Sequence, residues 1–211
     1  MTGERSTRDR IIDSALALFN EHGTRAVSTN RIATSVGISP GNLYYHFSDK
    51  EEIIRAIYER AIADGDTMLA AAATVPPDPA GAMRIFHAIF EHQLVYRFLQ
   101  REFPALVRTD DRLRTRYREM QARRIAFHYS LARYWMATGT LKPMTDEELS
   151  DLVMAIWLIG DSWLSYLEAT SDGGDETEQH RGERLIYNLL RPHLAAQADE
   201  AGPSESTPAA R

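Results

Sequence analysis

Apolar residues recur along most of this chain at intervals of three and four, and nowhere do they alternate steadily with polar ones. That spacing predicts helices and no sheet. The first run, Arg8 to His22, sets Ile11, Ile12, Ala15, Leu16, Leu18 and Phe19 at helical intervals and stops at Gly23. After a connection at 24–27, Ser28 stands where an N-cap belongs, ahead of Ile32, Ala33 and Val36 on one face. Gly37 ends that helix by supplying left-handed backbone at low steric cost. Ser39 and Pro40 start the next one, a capping hydroxyl followed by a proline whose missing N–H costs nothing at the first helical position. Leu43 and Phe47 lie four apart and face inward on a helix of about two turns. Ala33 and Gly37 are small where the two helices must approach. Ser48 with Glu51 reads as a capping box. The long helix it opens runs through Ile53, Ile54, Ile57, Tyr58, Ile62 and Met68 to about Ala73.

Val75 to Pro79 is the clearest break, and Asp78-Pro79 caps a helix to about Leu99, with Met83, Phe86, His87, Phe90 and Leu94 along one face. Phe103-Pro104 to Asp110 reads as a short helix or bend. Asp111 starts a long helix to about Thr138, closed by Gly139. A second capping box, Thr145 with Glu148, opens a helix to about Ala169. A Gly/Asp loop at 171–175 precedes the last helix, to about Ala196 and bent at Pro192. The tail, 198–211, is rich in Ala, Pro, Ser and Glu, a composition expected to be disordered. The expected fold class is all-α with nine helices. A three-helix DNA-binding domain at 1–50 is joined through the helix at 51–73 to a larger helical domain at 51–197.

Two short helices joined by a tight turn over 28–47 form a helix-turn-helix pattern, in which the second helix enters the DNA major groove. Gly41, Asn42, Tyr44, Tyr45 and His46 fall on its outer surface, a set that an ordinary core hairpin does not need. The run Ile38-Ser39-Pro40-Gly41-Asn42-Leu43-Tyr44-Tyr45-His46-Phe47, followed by Lys50-Glu51-Glu52, resembles the recognition segment of the tetracycline-repressor (TetR) family. The resemblance is specific from about Arg10 to Ile57; beyond that it is one of length and helical layout. It implies a homodimeric one-component regulator, most often a repressor. A small-molecule inducer binds the larger domain, and the long linking helix carries the signal to the DNA head.

Composition narrows the alternatives. There is no cysteine, which excludes disulfides, thiolate nucleophiles and cysteine metal sites. No apolar run reaches the ~18 residues of a membrane span, and the polar, charged N-terminus does not read as a signal peptide. A cytoplasmic protein with no membrane partner is the default. The net charge of −6 at first disfavours DNA. Residues 1–50, however, carry six Lys/Arg against five acids, while acidity concentrates at 146–151 and 172–183. An acidic body with a non-repulsive head predicts modest non-specific affinity and a marked salt dependence.

Lys50 and the hydroxyls of Thr29, Ser39, Tyr44 and Tyr45 are typical phosphate partners, and His46 suits a phosphate too. Asn30, Gly41 and Asn42 suit base edges, since an asparagine amide pairs bidentately with adenine and glycine admits close approach. The resemblance implies backbone contacts for Tyr44, Tyr45, His46 and Lys50. Arg5 and Arg8 are either a frayed terminus or an arm that reaches a phosphate or the minor groove. In the larger domain, Phe90, Met120, Phe127 and Trp157 are either core or the walls of an apolar pocket. Asp161 lies in an almost wholly apolar stretch, paired with an arginine or facing a ligand. Ten arginines between 97 and 133 are either a solvated face or an anion site. Two apolar stripes, with Ile156, Gly160, Trp163 and Leu167 on one helix and Leu185 and Leu189 on the next, would pair across a two-fold axis as a four-helix bundle. Such an axis fits a palindromic operator.

No constellation supports an enzyme. His87 and His92 are five apart, on different helix faces, and there is no nucleophile elbow or phosphate loop. No cofactor and no metal site is expected. The runner-up is a helix-turn-helix regulator without a small-molecule ligand.

Overall fold

The computed structural model describes residues 5–72, 78–170 and 176–195. Among the described residues the chain forms nine α-helices: α1 (Thr7–His22), α2 (Thr29–Val36), α3 (Pro40–His46), α4 (Lys50–Ala72), α5 (Pro79–Val95), α6 (Arg97–Thr109), α7 (Asp111–Ala137), α8 (Asp146–Thr170) and α9 (Glu176–Leu190). A single 3₁₀ turn, Arg191–His193, follows. The fold is all-α, with an N-terminal helix-turn-helix ahead of a larger helical region. The expected linker residues 75–77, the loop at 171–175 and the tail at 198–211 lie outside the described residues.

Most start signals act as read. Ser6, Ser28 and Ser39 each accept a hydrogen bond from the N–H three residues on, and Asp78 does the same for Gly81 at 2.6 Å. Thr145 and Glu148 cap each other reciprocally. Each such cap contributes about 1 kcal/mol by satisfying an otherwise orphaned N–H.

Three local readings are corrected. The box at the start of α4 lies one residue later than Ser48/Glu51. Asp49 Oδ1 accepts from the Glu52 N–H at 2.6 Å, and the Glu52 carboxylate returns to the Ser48 N–H at 2.7 Å. Those Ser48 hydrogen bonds hold the Glu52 carboxyl below its ordinary pKa. The break after α5 falls at Tyr96, and α6 runs unbroken with Pro104 inside it. Tyr96 turns inward there and donates its hydroxyl to Asp64 at 2.5 Å. Burial first, and then that carboxylate, push the Tyr96 phenol up to about 12. Finally, apart from chain neighbours and each helix's own backbone, no atom of the described residues lies within 4 Å of where a Cβ would stand on Gly37 or Gly160. The close helix approach is instead at Gly182, where a Cβ would meet the Trp163 ring at 2.5 Å.

The chain groups into two compact units, Met1–Thr67 with His92–Met120, and Met68–Glu91 with Gln121–Arg211. The first has one continuous core. Ile11, Phe19, Ile32, Leu43, Phe47, Ile53 and Ile57 from α1–α4 share it with Phe98, Leu99 and Leu113. Phe19 and Phe98 stack at 5.3 Å between ring centroids, and Phe103 lies between Tyr58 and Tyr117. At the α6–α7 junction, Asp110 accepts from Arg55 at 2.6 Å and caps Leu113.

In the second unit α8 packs along α9, and the end of α7 is tied to the chain after α9 by a bridge between Leu141 and Leu194. Ile156 and Leu167 are buried inside this unit, so they do not form the outward stripe expected of them. The apolar groups α8 exposes are Met154, Leu158 and Tyr166. By length and mean composition alone α8 could cross a membrane, but its longest uncharged run is confined to 152–160, so no apolar run in it reaches the length of a span. It carries Asp151, Asp161 and Glu168.

His128 donates its Nδ1 proton to the Arg124 carbonyl at 2.7 Å and stands edge-on to Trp157. Burial pushes this imidazole below its ordinary value. Its contribution to stability is therefore complete above about pH 6.5 and is lost as pH falls, because the unfolded chain takes up the proton more readily. Urea unfolding of wild type and His128→Gln at pH 7.5 and pH 5 measures this. Wild type is expected to lose more stability on acidification than the variant.

Candidate nucleic-acid interface

The interface is built on α2 and α3, and the turn between them is fixed by backbone chemistry. Gly37 takes φ 74° and ψ 35°, left-handed values that side chains other than glycine's reach only with strain. The Ile38 N–H returns to the Ala33 carbonyl at 3.0 Å and the Gly37 N–H to Thr34 at 3.1 Å. This pair is a Schellman motif. The Arg10 guanidinium takes the last carbonyl of α2, Val36, at 2.7 Å. Ser14 and Ser35 hydroxyls bond across α1 and α2. Ile32, Ala33, Val36, Leu43 and Phe47 are all buried, which fixes which faces of α2 and α3 remain outside.

Those outer faces hold nearly all the residues expected there. Asn30, Ser39, Gly41 and Asn42 are exposed. Tyr45 is 85% and Tyr44 51% exposed, large values for aromatic rings. The Tyr44 hydroxyl and Thr29 Oγ1 lie 3.0 Å apart, which ties the two helices together at the surface. His46 stands edge-on to Tyr45. Gly41 has no atom closer than 3.9 Å to the place a Cβ would occupy, so nothing inside the chain requires glycine there. Ser39 Oγ is occupied as the cap of α3, accepting from the Asn42 N–H at 3.1 Å.

Two expected contacts stand differently. The Lys50 ammonium is turned onto the backbone, donating to the carbonyls of Thr24 at 2.7 Å and Val27 at 3.3 Å. Arg8 lies over the Phe47 ring at 4.7 Å, a cation–π contact worth about 0.5–1 kcal/mol, and Arg5 pairs with Asp13. Arg8 and Arg5 thus each contact the head, Arg8 over a ring and Arg5 through a surface ion pair.

Sequence reading passed over the residues that support this surface from α6. Asn20 donates to the Val95 carbonyl and accepts from the Phe98 N–H, while Arg101 donates to the carbonyls of Phe19 and Asn20. Glu102 accepts from the N–H and hydroxyl of Thr24. These partners are almost eighty positions apart, and Arg101 and Glu102 looked like members of a charge run. No local pattern marks them.

The residues expected to line a pocket in the larger region are divided between the two units, Met120 in the first and Phe90, Phe127, Trp157 and Asp161 in the second. Met120 packs on the core of the first unit. Phe127 packs on Leu69 and Ile85, Phe90 is buried, Trp157 stands against His128 and Asp161 is half-buried. A groove of about 470 Å³ in the first unit is lined by Arg55, Tyr58, Glu59, Arg112, Leu113 and Arg116 among others. Ion pairs from Arg116 to Glu59 and Glu119 close its rim. Among the candidate dimer residues, Trp163 covers Gly182, and Gly160, Leu185 and Leu189 are half-buried. His87 pairs with Glu183, and His92 donates to the Ala61 carbonyl.

The two α3-side glycines separate backbone need from surface need. Gly37→Ala is expected to destabilise the chain by about 1–2 kcal/mol through its left-handed backbone. Gly41→Ala is expected to be neutral or stabilising by about 0.4–1 kcal/mol. Chemical denaturation of the two variants checks both signs.

Known proteins resemble this chain along most of its length. A family model described as bacterial regulatory proteins, tetR family, matches residues 11–57, and one described as bacterial transcriptional repressor, TetR, matches 58–201. A crystal structure of a TetR-family transcriptional regulator from Marinobacter aquaeolei superposes with a TM-score of 0.83 at 31% identity, covering 93% of this chain and 95% of that one. The HTH-type transcriptional regulator AcrR of Shigella flexneri is 35% identical over 81 residues, 38% of each chain. UidR of Escherichia coli is 44% identical over 66 residues, 29% of this chain and 34% of its own. The matches to these two curated relatives thus span little more than a third of their length.

Proposed function

The chain belongs to the TetR family of DNA-binding transcriptional regulators, and from that premise we propose that it represses transcription as a homodimer on a palindromic operator and leaves it when a small molecule binds. The reading rests on α3: a short, capped helix whose inward residues are all buried and whose outward face presents two tyrosines to solvent. Aromatic rings left that exposed bury little area against the fold, and their hydroxyls suit phosphates. Tyr44, Tyr45, His46 and Thr29 position the head on the DNA backbone, and Lys50 adds to them through the one of its three N–H donors not directed at the Thr24 and Val27 carbonyls; Asn30 and Asn42 read base edges, with Gly41 admitting close approach.

The dimer surface is the exposed face of α8 with the neighbouring part of α9. Met154, Leu158 and Tyr166 stand in one row at multiples of four residues, all more than 40% exposed. A row of this kind on a helix otherwise packed along its partner calls for a second copy of the same pair. Gly160, Leu185 and Leu189, each half-buried, join it in this proposal. The effector site belongs to the aromatic region of the second unit, around Phe90, Phe127, Trp157 and Asp161, with neutral His128 as an added hydrogen-bonding group. A ligand that binds one arrangement of the two heads better than another shifts the population away from the DNA-competent one.

Fluorescence anisotropy of a labelled duplex carrying the upstream region of the protein's own gene tests this. The expected result is tight binding of two chains per palindrome. Binding should fall steeply with salt and drop at least about tenfold, or 1.4 kcal/mol, in Tyr44→Ala/Lys50→Ala. Equal, weak binding by both proteins to this duplex and to a randomised set would contradict the reading.

A further inference from the structure

Thr24 is one of only two polar residues buried among those described, 5% exposed, and it is held from two sides. Its carbonyl accepts the Lys50 ammonium of α4 at 2.7 Å. Its N–H and hydroxyl both donate to the Glu102 carboxylate of α6, the N–H at 3.0 and 3.2 Å and the hydroxyl at 2.5 Å. The same ammonium reaches the carbonyl of Val27 at 3.3 Å, the residue directly before the Ser28 cap of α2. Thr29 follows, with its hydroxyl on Tyr44. The neighbouring backbone is shaped around the carboxylate. Gly23 has φ 77° and ψ 159°, a region essentially restricted to glycine, and a Cβ there would stand 2.9 Å from Glu102 Oε1.

The geometry points to Glu102 as a positioning residue for DNA binding. By holding Thr24, a residue of α6 outside the helix-turn-helix fixes the 24–28 connection and the seat of Lys50, and with them the register of α2 and the Tyr44 hydroxyl. This deepens the DNA-binding reading and rests on it. A buried hydroxyl and N–H that lose their acceptor are costly, so the connection must shift to find water when Glu102 goes. DNA affinity is then set in part by how α6 presents one carboxylate.

The sign of the effect separates positioning from charge. Glu102 is negative and lies near the DNA head, so removing it without structural consequence would tighten DNA binding through reduced repulsion. Positioning predicts the reverse.

The full-length protein is first used to select duplexes from a randomised pool. If wild type enriches none, the DNA-binding reading fails, and this inference with it. On an enriched duplex, Glu102→Ala is expected to bind at least about tenfold more weakly than wild type. Binding to a scrambled duplex of equal length is expected to be unchanged. Glu102→Gln keeps a carbonyl acceptor for Thr24 and is expected to stay within about threefold of wild type. Thr24→Val removes the hydroxyl alone and is expected to weaken specific binding at least about threefold. Affinity for the enriched duplex that is unchanged or raised in Glu102→Ala would overturn the proposal. Equal shifts in the Ala and Gln variants would do the same. Should circular dichroism show that Glu102→Ala is unfolded at the assay temperature, Thr24→Val decides alone, and wild-type affinity in that variant refutes the inference.

Discussion

Helices of eight and seven residues do not hold together in water unaided, and the DNA head of this protein is made of two of them. Everything else in the first unit answers that constraint. Ile32, Val36, Leu43 and Phe47 find their apolar neighbours on α1 and α4, and α1 in turn rests on α6 through Phe19 and Phe98. The ends of α1 and α6 cap one another. Asn20 serves the first N–H groups of α6, and Arg101 serves the last carbonyls of α1. Caps of this kind normally come from residues a turn away. Here they come from across the fold, and on α1 they add to the local cap that the Gly23 N–H makes on the Phe19 carbonyl.

The local grammar of the head could be read directly. Ser28, Gly37, Ser39 and Pro40 act within three or four residues, and the positions of α2 and α3 follow from them. The same holds for Asp78, Gly139 and the Thr145–Glu148 box. The readings that shifted involved competition between neighbours. Asp49 outbids Ser48 as a cap because its carboxylate accepts from the Glu52 N–H while Glu52 reaches back. The break expected after about Leu99 falls at Tyr96, whose ring and hydroxyl have a buried destination. What stayed hidden was chemistry between distant residues. Glu102 on Thr24, Arg101 on α1 and Trp163 over Gly182 leave no periodic trace. The outward face of α8 was misassigned for a related reason. Helical spacing marks an apolar stripe, but not which of two adjacent stripes the same chain will cover.

The charge distribution fits a reader of specific sites. The chain is acidic overall at −6, which limits indiscriminate attraction to nucleic acid. On the head itself several cationic groups are committed to structure: Arg10 to a carbonyl, Arg8 to a ring and Lys50 to two carbonyls. A surface whose cations are partly occupied gains affinity by presenting the right groups in the right order more than by total charge. That places weight on the exposed tyrosines and asparagines of α2 and α3, and on whatever keeps those helices in register.

Residue-resolved amide hydrogen exchange, on the full chain with and without a selected duplex, tests the central claim most directly: the head and α6 respond to DNA as one body. The account predicts added protection at Asn42–His46 and, together with it, at Thr24 and along Arg97–Thr109. Protection gained in α3 while α6 and Thr24 exchange unchanged would contradict it, as would the absence of any gain between Ser39 and Phe47.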